Sequence, residues 1–250
     1  MALAGAPVAL LPDDGRPLYR RLLAQLRSDL DSGRLRPGDL IPPELEIARS
    51  HGISRHTVRQ AIVELAREGL LRRERGRGTF VTPPPIVRSL GSFYSFAHEM
   101  TGRGLEFHTR VIYRDIRAAS EVIAARLDLP AGAPVIEMEL LRLVEDAPVS
   151  LEFSITPQAL FPSLLTADLT RQSLYDVMAT VHGVAVTLGR EELRPVVLDQ
   201  RQADLLEVAP GSPAFHVERE TLSGPARIEW RRSLVRGDRY LFRAELPVRD

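Results

Sequence analysis

The first regular feature of the chain is an apolar stripe at helical spacing. Leucines recur at every fourth position behind Pro17, namely at Leu18, Leu22, Leu26 and Leu30. Positions four apart share one face of an α-helix, and proline is favoured in the first turn. The pattern predicts a helix over residues 17–32, ended by Gly33, that packs against a core through its leucines.

Two more helices are predicted on either side of Gly52. The first is short and covers residues 44–50. The second begins behind Ser54, whose hydroxyl is expected to accept the amide hydrogen of Thr57 or of a neighbour. Its apolar positions follow helical spacing and are Val58, Ala61, Ile62 and Leu65. A short helix, a glycine-containing turn and a second helix together predict a helix-turn-helix, whose second helix enters the major groove of DNA.

Polar and basic side chains fill the other face of the second helix near its start. They are Ser54, Arg55, His56, Thr57 and Arg59. Such N-terminal positions contact bases in DNA-binding helices, and an arginine bound to guanine at two points is worth about 1–3 kcal/mol of discrimination. For this helix taken alone, an ordinary solvated basic face is the favoured interpretation. The segment that follows the helix distinguishes this interpretation from DNA binding.

A basic hairpin is predicted directly after this helix. Residues 70–75 and 79–81 have the composition of two short strands joined by a turn. The expected tip of the hairpin is formed by Arg75, Gly76, Arg77 and Gly78. Glycine tolerates positive φ angles and lets a turn approach a phosphate backbone or the minor groove. Helix and hairpin together favour DNA binding over a merely solvated surface.

The distribution of charge suits a polyanionic partner. The 250 residues carry 33 Lys plus Arg, all of them arginine, against 33 Asp plus Glu, yet residues 1–82 carry 14 arginines against 10 acidic residues. A basic cluster on a neutral protein favours nucleic acid bound by one face. The sequence has no lysine and no cysteine, which excludes Schiff-base chemistry, lysine-bearing P-loops, thiol nucleophiles, disulfides and zinc–thiolate sites.

Catalytic and membrane functions are not expected either. The six histidines are scattered without the spacing of metal ligands, so we expect no metal, no cofactor and no enzymatic activity. The apolar start is short and has no basic residues, which argues against a secretory signal, and no run approaches about 18 apolar residues. The sequence thus predicts a cytoplasmic protein without a membrane partner.

Residues 17–81 resemble the winged helix-turn-helix domain of GntR-family transcription regulators. The resemblance rests on PLYRRLLAQL, SGRLRPGD, IPPE, GISRHTVRQAI, EGLL and GRGTFV. It implies that the five polar residues at the start of the second helix contact DNA, and that Gly76, Arg77 and Gly78 form the wing tip. Two positions depart from the family pattern Pro-Ser-Glu-Arg: Pro43 replaces a capping serine, and Leu45 replaces an arginine that contacts DNA. The affinity, or the bases preferred at one flank, is expected to differ accordingly.

A proline run separates this region from a second domain. Thr82-Pro83-Pro84-Pro85 predicts a stiff connector. The predicted DNA-binding domain covers residues 1–82, the linker 83–90 and the second domain 91–250. Strands are predicted at residues 109–116, 135–143, 149–155, 185–197, 214–222, 226–235 and 240–246, and helices at 120–127, 174–181 and 199–206. Connections such as residues 145–148 are too short for parallel crossovers, which predicts an antiparallel α+β sheet.

Two stretches of the second domain resemble each other. Residues 118–135 are echoed by residues 198–214, and each stretch combines a helix, a turn with proline and glycine, and a strand. A duplicated unit of this kind either encloses a ligand cleft or serves packing alone.

Residues 95–246 resemble UTRA, the effector-binding domain of the HutC-like branch of the GntR family. The resemblance rests on SFAHEM, LDLPAGAPV, SLYDVM, LLEVAPGSPAF and IEWRRSLVRGDRYLF. It implies a chorismate-lyase-like fold, dimerisation and a small-metabolite effector. The residues that it places at the effector pocket are Ser95, Phe96, Arg142, Glu152 and Glu229. For the polar residues among them, a satisfied ion pair on a strand face is the alternative interpretation.

These observations predict a ligand-responsive, homodimeric transcription regulator, more often a repressor, that binds an inverted repeat in double-stranded operator DNA. Leu140 and Val235 are apolar where other members often carry Arg and Tyr, which favours a smaller or less anionic ligand than a sugar phosphate. The alternative function is a non-sequence-specific architectural DNA-binding dimer without an effector response.

Overall fold

A computed structural model describes residues 11, 14–74, 76–93 and 95–246 of the chain. The chain divides into two compact units, Met1–Pro84 and Pro85–Asp250. The division falls inside the proline run, where the proline rings prevent both helix continuation and pairing within a sheet.

The first unit contains three helices and three short strands among its described residues. The helices are α1 (Leu18–Asp31), α2 (Glu44–His51) and α3 (Arg55–Arg67), and the strands are β1 (Leu40–Ile41), β2 (Leu71–Glu74) and β3 (Gly78–Val81). The strands form an antiparallel sheet in the order β1-β3-β2. The predicted helices and hairpin are present, and β1 is an additional strand too short to leave a pattern in the sequence.

One apolar core fixes the orientation of α3. Its buried side chains include Leu22 and Leu26 from α1, Val58 and Leu65 from α3, and Val81 from β3. Burying one such side chain stabilises the folded state by about 1.5–3 kcal/mol. The apolar face of α3 is therefore held inward, and its polar face points to solvent.

Local hydrogen bonds set the junction between α2 and α3. Gly52 ends α2 in the left-handed region at φ 63°, which glycine adopts without strain. The Oγ of Ser54 accepts the amide hydrogen of Thr57 at an N–O distance of 3.1 Å and caps α3. The capping role that the sequence predicts for Ser54 is confirmed.

The second unit is built on a six-stranded antiparallel sheet. The strands of the whole unit are β4 (Ile86–Ser89), β5 (Phe107–Ala118), β6 (Pro134–Val144), β7 (Ala147–Pro157), β8 (Leu188–Val197), β9 (Pro213–Ser223), β10 (Ala226–Arg236) and β11 (Tyr240–Arg243). Its helices are α4 (Phe96–Gly102), α5 (Glu121–Leu127), α6 (Leu174–His182) and α7 (Gln200–Leu205), with a 3₁₀ turn at Pro162–Leu165. The large sheet has the order β5-β6-β7-β10-β9-β8, and β4 pairs in parallel with β11. The predicted antiparallel α+β class is confirmed. None of the described helices is long and apolar enough to cross a membrane.

The internal repeat is a repeat of structure. Strand, helix and two strands run through β5-α5-β6-β7 and again through β8-α7-β9-β10, so that β7 and β10 meet at the centre of the sheet. The turns match as well: the amide of Gly132 donates to the carbonyl of Ala119 at 2.9 Å, and the amide of Gly211 donates to that of Leu198 at 2.9 Å. Both glycines have positive φ angles, 80° and 79°. The duplication therefore places two equivalent halves side by side in one sheet.

The segment predicted as a linker is partly a strand. Ile86–Ser89 form β4, which lies within the predicted range 83–90, and Ile86 and Arg88 are buried in the second unit. The partner strand β11 is near the far end of the sequence, so no local pattern indicates this pairing. Residues 86–89 consequently belong to the second unit and not to a connector.

Candidate DNA-binding surface and ligand site

The start of α3 presents a basic and polar surface to solvent. Arg55, His56 and Arg59 are exposed, whereas Val58, which lies among them, faces the core. The first amides of a helix have no intrahelical acceptor, so this end carries partial positive charge and donors suited to a phosphate. Ser54 accepts one of these amide hydrogens from Thr57, and the hydroxyl oxygens of the two residues lie 2.8 Å apart.

Glu44, the first residue of α2, contacts both α3 and the hairpin. Its Oε2 accepts a hydrogen bond from the Nε of Arg55 at 3.3 Å, and its Oε1 accepts one from the Nη2 of Arg73 at 2.9 Å. The carboxylate thus holds two arginines from different elements near each other. Leu45, the next residue of α2, is 50% exposed.

The hairpin brings further arginines to an exposed turn. Strands β2 and β3 pair Arg73 with Thr79, and the turn includes Gly76 and Arg77, both exposed. The guanidinium groups of Arg72 and Arg77 lie 5.4 and 5.9 Å from the centre of the Phe80 ring. Such cation–π contacts restrict the arginine side chains to the hairpin surface.

Glycine is needed at both ends of the turn. Gly76 has φ 76° and Gly78 has φ 127°, and a Cβ on Gly78 would lie 2.6 Å from the Cδ1 of Leu40. The turn can therefore bring its backbone close to a partner, as a wing tip requires. Arg75, which the sequence also predicts at this tip, lies outside the described residues.

A buried carboxylate in the second unit, Glu152 on β7, is held by two arginines. Its Oε2 accepts hydrogen bonds from the Nη2 of Arg142 at 2.8 Å and from the Nη1 of Arg231 at 3.3 Å. The Nη1 of Arg142 also donates to the Oγ1 of Thr109 at 2.6 Å. Burial alone would raise the pKa of Glu152, but Arg142 and Arg231 outweigh that effect and lower it to about 2. Glu152 is ionised at neutral pH.

A second buried carboxylate, Glu229 on β10, is held by three hydroxyl groups. It accepts hydrogen bonds from Ser154 at 2.7 Å, Tyr175 at 2.7 Å and Thr221 at 2.9 Å. The Tyr175 hydroxyl in turn accepts a hydrogen bond from the Nη1 of Arg219 at 2.9 Å. Burial raises the pKa of Tyr175, so its hydroxyl stays protonated and can donate to Glu229.

A third carboxylate, Glu191 on the edge strand β8, is shared by two buried arginines. Its Oε1 accepts a hydrogen bond from the Nε of Arg219 at 2.5 Å, and both of its oxygens contact the Nη2 of Arg88. Burial raises the pKa of Glu191, but Arg219 and Arg88 lower it by more, so the net change is downward. The three carboxylates and their arginines are here called the polar cluster. It comprises Arg88, Arg142, Arg219, Arg231, Glu152, Glu191 and Glu229.

Two cavities adjoin the polar cluster and share Phe93. The larger has a volume of about 440 Å³ and is lined by Arg219, Glu191 and the segment of residues 90–93. The smaller, about 370 Å³, is lined by Ser95, Tyr175 and neighbours from α4 and α6. Both volumes fall in or near the range of small-molecule sites. The Phe93 ring stands between them, 4.9 Å from the Tyr175 ring in an edge-to-face contact and 4.6 Å from the Arg219 guanidinium.

Two family models match the chain. Residues 18–81 match the model described as bacterial regulatory proteins of the gntR family, and residues 102–241 match the UTRA domain. The chain belongs to the GntR family. Its UTRA domain places it in the HutC-like branch, and it is a DNA-binding transcription regulator.

Relatives of this GntR-family regulator match it along most of its length. The HTH-type transcriptional repressor NagR of Bacillus subtilis (strain 168) is 33% identical over 227 residues, which cover 90% of this chain and 93% of that protein. The histidine utilization repressor of Pseudomonas putida is 29% identical over 235 residues, 94% of each chain. The crystal structure of PhnF from Mycobacterium smegmatis superimposes with a TM-score of 0.65 at 33% identity, covering 91% of this chain and 99% of that one.

Of the effector-binding residues predicted for this GntR-family protein, one lines a cavity and the others are buried below the surface. Ser95 lines the smaller cavity, and its hydroxyl lies 3.1 Å from that of Ser173. Phe96 is buried with the Arg142 guanidinium 5.4 Å from its ring centre. Arg142 and Glu152 are buried and form an ion pair with each other, which is the strand-face arrangement expected as the alternative, whereas the buried Glu229 is bonded to hydroxyl groups. A contact between these residues and an effector stays a prediction.

Several residues of the candidate DNA-binding surface and of the candidate ligand site were not predicted from the sequence. In the DNA-binding unit they are Glu44 and Arg73, and in the UTRA unit they are Phe93, Tyr175, Glu191, Arg219 and Arg231. The strand residues among them could be found from the alternation of side chains between the two faces of a strand. Arg219 and Thr221 lie two positions apart on β9, share one face, and are both buried. The apolar departures Leu140 and Val235 are both buried in apolar clusters of the UTRA unit.

Proposed function

We propose that this chain is a ligand-responsive repressor that binds an inverted-repeat operator as a homodimer. The observation that carries the proposal is the exposed basic start of the capped helix α3, tied through Glu44 to the arginine-bearing hairpin. A helix of this kind reads bases in the major groove, while an adjacent hairpin contacts the backbone or the minor groove. Both elements present their arginines to solvent, as a partner surface requires.

We assign two kinds of DNA contact to this surface. Contacts with base edges are assigned to the start of α3, through Ser54, Arg55, His56, Thr57 and Arg59. Contacts with the backbone or minor groove are assigned to Arg75, Gly76, Arg77 and Gly78. Arg55 and Arg59 lie one helical turn apart on one face, so they reach neighbouring base pairs.

The inverted repeat follows from the proposed homodimer. Two copies related by a two-fold axis present the same surface in opposite directions, so the two half-sites have the same sequence on opposite strands. The relatives NagR and the histidine utilization repressor are named repressors, which supports the repressor assignment. The protein acts on DNA and is therefore assigned to the cytoplasm.

The effector is assigned to the UTRA unit, near Ser95, Phe96, Arg142, Glu152 and Glu229. Of these residues, Ser95 lines the smaller of two neighbouring cavities, and Arg219 and Glu191 of the polar cluster line the larger one, so the region combines volume with orienting groups. The effector changes DNA affinity by binding one arrangement of the protein more tightly than another, and DNA binding changes effector affinity reciprocally. We propose binding without turnover of the effector, which is tested by recovering a bound metabolite chemically unchanged.

Selection of operator fragments from random double-stranded DNA tests the proposal. Enrichment of an inverted repeat, bound at one homodimer per repeat, is the expected result. The alternative function, a non-sequence-specific architectural dimer, predicts recovery of DNA without an enriched motif. A protein that retains all sequences equally in 150 mM salt would overturn the repressor proposal, because specific binding typically exceeds non-specific binding by about 10³-fold or more.

A further inference from the structure

We propose that the UTRA unit has a second small-molecule site, on the sheet face opposite the polar cluster, and that it binds a small apolar carboxylate through Arg232. The cavity that forms this site lies beside α7 and has a volume of about 240 Å³. It is here called the outer-face cavity. The site is additional to the effector site proposed above.

The outer-face cavity and the polar cluster lie on opposite faces of the six-stranded sheet. Phe153 on β7 is directly opposite Arg232 on β10, and both line the cavity. Their neighbours along the chain, Glu152 and Arg231, belong to the polar cluster. Because successive side chains of a strand point to opposite faces, the sheet itself separates the two sites.

The two helices on the outer face leave its centre open. Leu127 of α5 shares an apolar cluster with Ile155 of β7, whereas Ala203 of α7 shares another with Leu151 of the same strand. Phe153 lies between these two positions of β7 and is only half-buried. A ligand can therefore reach the centre of this face from solvent, between the two helices.

Arg232 is held by aromatic rings in a way that leaves its hydrogen-bond donors available. The central carbon of its guanidinium group lies 5.2 Å from the centre of the Phe153 ring and 4.9 Å from that of Trp230. Within the described part of the chain this exposed guanidinium makes no hydrogen bond and no ion pair. Stacking uses the faces of the group, whereas its N–H bonds lie in its plane and can bind both oxygens of a carboxylate.

The other polar groups of the outer-face cavity favour an acceptor as the ligand. Gln202 accepts the amide hydrogen of Asp199 through its Oε1 at 3.1 Å, so its Nε2 group can donate to a ligand. Burial is the main cause that lowers the pKa of His216, so its ring is neutral at pH 7 and carries one N–H donor. The carboxylate of Glu139 is bound by Arg201 of α7 at 2.8 and 2.5 Å. A ligand carboxylate therefore meets donors and a carboxylate that is already neutralised.

The size and the apolar lining of the outer-face cavity define the rest of the ligand. Leu151, Leu234 and the Phe153 ring line it beside the polar groups. Its volume is below the range of about 300–1,000 Å³ for drug-sized ligands, so the ligand is small. A single ring or a short branched chain attached to the carboxylate displaces water from the leucines, which inorganic phosphate cannot do. The ligand class is therefore a small apolar monocarboxylate.

Benzoate and benzamide, its neutral counterpart of similar shape, are the probes, and they are added to the full-length chain. Trp230 is the one tryptophan of the sequence, so its fluorescence reports binding at the adjacent Arg232. At ionic strength fixed with chloride, benzoate is expected to change this fluorescence saturably, with a Kd at least about tenfold lower than that of benzamide. No saturable change, or equal Kd values for the two compounds, would overturn the proposal.

Two matched variants locate the binding. Arg232→Gln is expected to raise the Kd for benzoate at least about tenfold, because the paired hydrogen bonds to the carboxylate are lost. Arg110→Gln makes the same change at an exposed position of the edge strand β5 and should leave the Kd unchanged. These values are taken from thermal shifts, since Arg232→Gln also alters the surroundings of Trp230. Equal Kd values for the wild type and Arg232→Gln would place benzoate elsewhere and reject the site.

A carboxylate side chain from a second copy of the chain is another source of the same chemistry. Sedimentation velocity of the wild type with and without benzoate, and of Arg232→Gln, separates the two sources. The mass is expected to be the same in all three samples. Dissociation caused by benzoate or by Arg232→Gln would assign the cavity to an interface between copies and overturn the small-molecule site. Operator selection does not involve this cavity, so its result is independent of both outcomes.

Discussion

The Nη2 atom of Arg142 lies 2.8 Å from the Oε2 atom of Glu152, with both side chains buried in the UTRA unit. Arg142 lies on β6 and Glu152 on the adjacent strand β7. In this interior an ion pair stabilises the fold only as long as both members stay charged, because a lone buried charge is strongly unfavourable. The free energy of unfolding of the UTRA unit therefore depends at low pH on the ionisation of Glu152.

Glu152→Gln is expected to destabilise the protein by about 3–5 kcal/mol at neutral pH, since it leaves two buried arginines without their counter-charge. The folded-state pKa of about 2 lies below the ordinary value of 4.5, so ionised Glu152 contributes stability above pH 4.5 and loses it as the pH falls toward 2. The difference between the urea midpoints of wild type and variant should therefore shrink across this interval. A difference that stays constant from pH 7 to pH 2.5 would show that Glu152 is not the titrating group.

Glu44→Gln is expected to reduce discrimination between operator and random DNA by up to about tenfold, because Arg55 and Arg73 lose the carboxylate that positions them. Affinity for random DNA should rise slightly, since a negative charge beside the phosphates is removed. Both affinities are measured by fluorescence anisotropy at one salt concentration. Glu46→Gln, an exposed position on the same helix, makes the same charge change and should leave discrimination unaltered. If the two variants changed discrimination equally, the effect of Glu44→Gln would come from the change in charge and not from the positioning of Arg55 and Arg73.

Substitutions of arginines on α3 and on the hairpin are expected to affect DNA binding in different ways. Arg59→Gln or Arg55→Gln should relax sequence preference by about 1–3 kcal/mol at the base pairs that each contacts. Arg77→Gln should weaken binding to all sequences alike and reduce the slope of log affinity against log salt by about 1. Titrations with operator and mutated operators over a range of salt separate these outcomes. The same loss of discrimination in all three variants would contradict the division into base and backbone contacts.

Local signals account for the parts of the fold that the sequence predicts. Ser54 caps α3, and Asp199 caps α7 by accepting the amide hydrogen of Gln202 at 2.8 Å, so the starts of these two helices agree with residue type. Alternating apolar residues and the short turn at residues 145–148 likewise indicate antiparallel strands. Strand β4 could not be predicted in this way, because its four residues pair with β11, which lies near the other end of the unit.

The candidate ligand site is harder to predict because its contacts join distant parts of the chain. Arg219 contacts Tyr175 at a separation of 44 residues and Glu191 at 28, and no spacing rule relates these positions. Arg142 and Glu152 were predicted only through the family resemblance, and their mutual ion pair depends on the register of β6 and β7. Register is a property of the folded sheet, so the sequence shows which residues are polar but not which carboxylate each arginine contacts.

Leu45→Arg is expected to strengthen operator binding and to change the preferred bases at one flank. Leu45 is 50% exposed beside Glu44, so the substitution should change the free energy of unfolding by no more than about 0.5 kcal/mol. If position 45 contacts DNA, as the family resemblance implies, a new guanidinium group there adds a phosphate contact, which raises the salt slope by about 1, or a guanine contact worth about 1–3 kcal/mol. Val122→Arg adds the same charge to an exposed position of the UTRA unit and should change neither quantity. Operator selection with both variants distinguishes the cases: a new flanking base preference in Leu45→Arg alone places Leu45 at the DNA, whereas identical selected motifs and salt slopes in the two variants place it elsewhere.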